Sequence, residues 1–324
     1  MDPLRPLTDR RLVIVTGKGG TGKTTVTAAL ALAASRAGLR VLAVEVGPDS
    51  ELPGLLAPGT PDPGYEGVEL GAGLRAMRIE PYRALGEYLG LQLGVRALAD
   101  RVLRNRAFRQ LLDAAPGWRE LITLGKVWHL EQMQEPEGRP RFDLILVDAP
   151  ATGHGLTFLD VPRVVVSAVR MGPLRRNAAL VEAMVKDRDR TLLLPVALAE
   201  ELPARETEEL VRRARDEIGI AVDRVVVNAL TPPPLPAGLE DLPRRLRGLG
   251  TQRLPGLPPP ASMAACIEHL RARSALGTRY LREIRERCGL PVVALPALPA
   301  GVEGPSELAE LAAVLAPAQG TGAR

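Results

Sequence analysis

The sequence predicts an α/β fold in which a mainly parallel sheet carries helices on both faces. Three observations predict it. Short apolar runs recur, Arg11 to Thr16 (RLVIVT) and Arg40 to Val46 (RVLAVEV) first among them; runs without polar alternation suit strands buried on both faces. Helical periodicity fills the intervals between runs, and such alternation argues parallel connections. Glycines and polar residues gather just after the runs, at the carboxyl ends where these sheets hold ligands.

The first element decides most. After Thr16 comes Gly17-Lys18-Gly19-Gly20-Thr21-Gly22-Lys23-Thr24-Thr25, and then a helical pattern through Val26, Leu30, Ala33 and Ala37. Strand, glycine loop and helix in this order form a phosphate-binding loop, so the α/β sheet is that of a P-loop NTPase. The glycines let backbone N–H groups turn inward, and the helix start adds partial positive charge. Gly19, Gly20, Thr21, Gly22, Lys23, Thr24 and Thr25 are the predicted nucleotide-binding residues. Lys23 suits the β- and γ-phosphates, and the Thr24 hydroxyl suits magnesium.

The remaining elements follow in order. Gly38 stops the first helix, and Gly47-Pro48-Asp49-Ser50 ends the second strand in a turn. Pro53 to Gly73 reads as a long surface loop. Tyr82 to Leu112 and Trp118 to Met133 read as helices broken at Pro116-Gly117. Arg141 to Pro150 (RFDLILVDAP) is a strand ending in Asp148, where a Walker B carboxylate that holds magnesium through water is expected. Val164–Val169 and Leu192–Leu198 read as strands flanking a helical face at Leu180, Val181, Met184 and Val185. Glu206 to Ile218 is an amphipathic helix, Arg224 to Leu230 a strand with Asn228 near its end. Thr231 to Pro260 reads as a mobile proline-rich insertion. A helix over Ser262–Arg287, a strand over Pro291–Leu298 and a helix over Ser306–Leu315 close the fold, with a disordered tail beyond Ala316. The predicted organisation is one nucleotide-binding domain over 1–324, with helical insertions at about 82–133 and 171–190 and the proline-rich insertion at 231–260.

Composition excludes several classes. At 324 residues, 46% hydrophobic and 25% charged, the chain has a globular balance and length for a sizeable core. The net charge of +4 is small and its basic residues are spread along the sequence, which does not argue for nucleic acid. Only Lys18, Lys23, Lys126 and Lys186 are lysines among 42 basic residues, and two of them sit in one loop. A compact ammonium fits there where a broad guanidinium does not. Cys266 and Cys288 lack metal-ligand spacing and read as buried core residues. No run of about 18 apolar residues and no signal peptide is visible, so a cytoplasmic protein without a transmembrane segment is expected.

Lys18 makes the resemblance specific. Gly-Lys-Gly-Gly-Thr-Gly-Lys-Thr resembles the deviant Walker A loop of the MinD/ArsA class of ATPases, in which the extra lysine reaches phosphates bound by a dimer partner. Asp148-Ala149-Pro150-Ala151-Thr152-Gly153-His154-Gly155 is similar to switch II of the arsenite-pump and tail-anchored-protein targeting ATPases. The resemblance spans most of the chain and is closest to bacterial ArsA-like ATPases. It implies ATP and magnesium as cofactors, Lys18 and Lys23 in catalysis, and Thr24 and Asp148 at the metal. It further implies Pro150, Thr152, Gly153 and His154 in switch II, Asn228 on adenine, and a loop over the base from Pro296 through Leu298 to Gly301.

Three departures qualify what it implies. The switch I aspartate that orients water in these families falls on Gly47, so Glu45 or Asp49 stands in or hydrolysis is slow. No C-x-x-C occurs for a zinc clasp. Two cysteines make no thiolate cluster for trivalent arsenic. The expected function is magnesium-dependent ATP hydrolysis by a nucleotide-gated homodimer or paralogous heterodimer. The alternative is a low-turnover nucleotide-gated scaffold or client-binding chaperone, the catalytically weak half of a heterodimer. Segments 82–133 and 171–186 are the candidate groove for a hydrophobic client or membrane-protein partner.

Overall fold

A computed structural model describes residues 7, 9–47, 51–71, 73–94, 101–150, 155–250, 252 and 255–316. Its centre is an eight-stranded sheet in the order β3-β4-β2-β5-β1-β6-β7-β8. The strands are β1 Leu12–Thr16, β2 Val41–Val46, β3 Val68–Gly71, β4 Leu74–Ile79, β5 Leu144–Asp148, β6 Thr191–Leu198, β7 Val225–Leu230 and β8 Val292–Pro296. Every pairing is parallel except that of β3 with β4. Helices cover both faces, as the pattern predicts.

The apolar runs divide by period two, and both halves are buried. From β1, Leu12 and Ile14 face one core and Val13 and Val15 the other; from β5, Ile145 and Val147 oppose Leu144 and Leu146 in the same way. One core packs against the Lys23–Arg36 and Pro305–Leu315 helices through Val26, Leu30, Leu308 and Leu311. The other packs against the helices Trp118–Gln132, Gly155–Ala168, Pro173–Lys186, Glu201–Arg213 and Pro260–Cys288. β1, which leads into the glycine loop, is therefore held between two layers.

Several local expectations are overturned. Val164–Val169 is not a strand; residues to Ala168 belong to the Gly155–Ala168 helix, with Val164 half-exposed. A run of β-branched residues mimics a buried strand, but neighbouring side chains here turn around a helix axis. Within Pro53–Gly73, expected to be loop, lie part of the short Leu52–Leu56 helix and strand β3, and β4 follows directly. The proline-rich 231–260 segment contains a helix, Leu242–Gly248. Cys288 is buried but Cys266 is exposed on the same long helix. The tail beyond Ala316 lies outside the described residues.

One buried carboxylate fastens the layers. Glu131, at the end of the Trp118–Gln132 helix, is 2% exposed. It takes Arg11 Nε at 3.3 Å and Arg190 Nη2 at 2.5 Å. Arg11 precedes β1 and Arg190 precedes β6, and Leu12 N donates to Arg190 O at 2.9 Å. Both arginines keep about a third of their side chains in water, so the buried partner carries the larger desolvation penalty. Glu131→Gln is expected to lower the unfolding free energy by ~1–3 kcal/mol, read by urea denaturation. A loss too small to resolve would mean that water serves these arginines equally well.

Candidate functional site

The site begins where the backbone of β1 has no room for side chains. Gly17 has φ +151°, and a Cβ there would lie 2.2 Å from the Val196 carbonyl oxygen of β6. Gly22 has φ +81°, and a Cβ there would lie 2.1 Å from Asn228 Nδ2. Between them Thr21 Oγ1 donates to Lys18 O at 2.9 Å, and Lys23 Nζ donates to the same carbonyl at 2.9 Å. The loop closes on itself around that oxygen. Gly22 is also the N-cap of the Lys23–Arg36 helix, with no side chain capping it and no acid in the first turn. Such a helix start leaves N–H groups for an anion.

Under the loop lies the carboxylate that the third apolar run leads to. Asp148 ends β5, which pairs with β1 through Val15↔Asp148 and with β2 through Glu45↔Asp148. Thr24 Oγ1 donates to Asp148 Oδ2 at 2.6 Å. Asp148 Oδ1 is buried and has no hydrogen-bond partner among the described residues. Burial pushes the Asp148 carboxyl up to about 6; the nearby Glu45 charge adds to this, while the Thr24 bond and Lys23 oppose it. Burial also holds Lys23 below the usual lysine range, against the pull of Asp148. A buried oxygen lacking a partner beside a hydroxyl fits a hard divalent cation such as magnesium.

The other predicted residues are placed as follows. Lys18 is half-exposed and ion-paired with Glu206 at 2.8 Å, on the Glu201–Arg213 helix. Gly19 and Gly20 are exposed at the loop tip, and Thr25 is half-buried in the first turn. Glu45 is buried, and its Oε1 accepts from Glu51 N at 2.8 Å and Leu52 N at 3.4 Å. It thus holds the start of the Leu52–Leu56 helix. Gly47 has φ +154° with open space around it. Pro150 is half-buried after β5; Asp49, Thr152, Gly153 and His154 lie outside the described residues. Asn228 Nδ2 donates to Thr21 O at 3.0 Å, bringing the end of β7 onto the loop. Beside it Ala229 has φ +52°, and the β7–β8 register shifts between Val227 and Leu230. Pro296 and Leu298 are half-buried after β8, tied to β7 by Ala297 N donating to Leu230 O at 2.9 Å.

Sequence reasoning missed Glu206 as the partner of Lys18. The helix was legible, but one acid among several on a charged face carries no mark of its own. It also missed that Asn228 bonds the loop backbone.

A glycine loop between strand and helix, with a buried strand-end carboxylate beneath it, defines a P-loop nucleotide-binding protein. The sequence model of the anion-transporting ATPase family, ArsA_ATPase, matches residues 10–178, and the chain belongs to that family. It is 33% identical to "ATPase BagA" of Mycobacterium tuberculosis over 229 residues, 68% of this chain and 66% of that protein. It is 28% identical to the "Arsenical pump-driving ATPase" of Escherichia coli over 75% of this chain and 48% of that one. It is 24% identical to "ATPase GET3" of Malassezia globosa over 92% and 88%. The chain thus spans just under two thirds of the mycobacterial relative and about half of the E. coli one. No helix among the described residues is long and apolar enough to cross a membrane.

The raised Asp148 carboxyl has a signed consequence. Its folded value lies above the usual 3.8, so the stability it contributes is complete below that value and is lost as pH rises through about 6. The loss amounts to about 3 kcal/mol at most. Asp148→Asn removes that titration. Without magnesium, wild-type melting temperature is expected to fall relative to the variant between pH 4 and 7. Parallel melting curves over that range would contradict the burial argument.

Proposed function

We propose that the chain is a magnesium-dependent ATPase that binds ATP at Gly17–Thr25 and acts as a nucleotide-gated dimer. The Thr24–Asp148 contact of 2.6 Å, with Asp148 Oδ1 buried and lacking a hydrogen-bond partner among the described residues, carries this reading. Bound magnesium would supply charge neutralisation at the phosphates, with Thr24 and Asp148 as the residues that hold it. The loop N–H groups and Lys23 would bind phosphate oxygens, and removal of one such donor typically costs 10²–10³ in rate. The reading also assigns Asn228, Pro296 and Leu298 to the base, since β7 ends on the loop and β8 pairs with β7. The names of the three relatives given above, each an ATPase, point the same way.

Lys18 is the residue proposed to act across the dimer. Its pairing with Glu206 joins two side chains each at least a third exposed, and exposed pairs are worth only about 0–1 kcal/mol. It can therefore be exchanged for a phosphate at small cost. A second reading, slow turnover with ATP acting chiefly as a gate, is favoured by Gly47 and by the Glu45 carboxylate holding a helix start. Under that reading a paralogous partner supplies the missing acid.

The test is phosphate release per subunit against protein concentration, with Mg·ATP binding followed by calorimetry. Lys23→Ala is expected to abolish turnover. Lys18→Ala is expected to bind Mg·ATP within about threefold of wild type and to lose roughly 10³-fold or more in rate, the scale of an arginine finger. A Lys18→Ala protein that hydrolyses ATP normally, at a rate independent of concentration, would end the shared-site proposal.

A further inference from the structure

A cluster of cationic side chains lies away from the phosphate loop. A cavity of about 760 Å³ opens on the sheet face covered by the Pro81–Leu93 and Trp118–Gln132 helices. Six cationic side chains line it: Arg75, Arg83, Arg104, Arg109, Lys126 and Arg141. Only two carboxylates, Glu66 and Glu87, accompany them. The chain has 42 basic and 38 acidic residues; removing six and two leaves 36 of each. The lining thus carries a formal +4, while Glu69, Glu80 and Glu135 reach Arg75, Arg83 and Arg141 from outside it at 3.8–3.9 Å.

The two carboxylates are already occupied. Lys126 Nζ donates to Glu87 Oε2 at 2.6 Å, and Tyr65 OH donates to the same oxygen. Burial pushes the Glu87 carboxyl up, but the Lys126 and Tyr65 bonds outweigh it and hold the group below the usual range. Glu66 Oε1 takes Arg83 at 2.8 Å. Other cations have spare donors. The Arg104 side chain makes no hydrogen bond or ion pair among the described residues. Arg109 donates its Nε to Leu103 O at 2.6 Å and lies 6.0 Å from the centre of the Tyr82 ring. Its two terminal nitrogens have no hydrogen-bond acceptor among the described residues. Arg141 reaches Glu135 only at 3.8 Å. Apolar floor is supplied by Leu42, Met77 and Phe142.

The cavity is separate from the nucleotide loop. Leu42 lies near the amino end of β2 and Phe142 just ahead of β5, whereas Gly17 and Asp148 mark carboxyl ends. From Leu42 to Val46 the strand advances about 13 Å. None of the loop residues lines this cavity.

We propose that this cavity binds a small organic polyanion carrying two or more phosphate or carboxylate groups. Guanidinium forks with free donors match such groups bidentately. The apolar floor gives the carbon skeleton a surface, and the volume lies in the range of ligand pockets, about 300–1,000 Å³. Neither the relatives' names nor the ATPase reading calls for it.

Calorimetry on the full chain tests it, with citrate, inorganic pyrophosphate and fructose 1,6-bisphosphate as probes at 50 mM sodium chloride. At least one probe is expected to bind wild type and Lys23→Ala alike. The double variant Arg104→Ser/Arg109→Ser is expected to bind it at least tenfold more weakly; both positions are exposed, so its melting temperature is expected to match wild type. Heat from none of the probes would overturn the proposal. So would heat lost in Lys23→Ala but kept in the double variant, which would place the anion in the phosphate loop. Wild-type binding unchanged at 500 mM salt would overturn it independently, because exposed charge contacts are screened there. A Mg·ATP titration run alongside tests the nucleotide reading separately.

Discussion

The close approach of the Val196 carbonyl to Gly17 is the constraint on which the site depends. β1 and β6 are paired in parallel from Leu12↔Thr191 to Thr16↔Pro195, so the chain leaving β1 must pass directly beside β6. A Cβ 2.2 Å from a backbone oxygen has nowhere to go, because neither strand can shift without breaking its ladder. Glycine at 17 is thus a packing requirement before it is a phosphate-binding one. At Gly22 the crowding atom is the end of the Asn228 side chain, which can turn aside, so the φ of +81° is the firmer reason for glycine there. Both contacts come from strands on one side of β1. The loop is shaped by β6 and β7, and its carboxylate is supplied from the other side by β5.

That arrangement concentrates charge where water is scarce. Lys23, Asp148 and Glu45 are each 6% exposed and lie close together at adjacent strand ends. Burial opposes ionisation of Asp148 and Lys23, and two neighbouring carboxylates oppose each other. A fold selected for stability alone would replace such a cluster by apolar side chains. Its persistence in an otherwise well-packed core is what a binding site costs, and bound polyphosphate with a divalent cation would relieve each of these penalties.

Legibility in the sequence followed the length scale of the physics. Strands β1, β2 and β5 and the phosphate loop were readable because local pattern alone fixes them. Buried runs cannot alternate, and a glycine loop between strand and helix has few other uses. β3 and β4 were hidden because Val68–Gly71 is short and half-exposed and lies in a stretch rich in glycine and proline. Val164–Val169 failed for the opposite reason: three consecutive valines overstate strand, and only the packing of Phe158 and Leu159 on the core shows the helix. The Lys18–Glu206 pair and the cation-lined cavity were invisible because they join residues far apart in sequence. Their basic members look scattered until the sheet gathers them.

Gly47 brings these strands of argument together. The aspartate that the family resemblance leads one to expect falls on Gly47, whose φ of +154° is a conformation that a side chain rarely tolerates. A side chain placed there would be strained even though the space around it is open. Glu45, two residues earlier, holds the amide groups of Glu51 and Leu52. The Leu52–Leu56 helix packs in turn on the Lys23–Arg36 helix, whose first residue is the phosphate-loop lysine. Glu45 and the Leu52–Leu56 helix thus link the end of β2 to the Lys23–Arg36 helix through direct contacts.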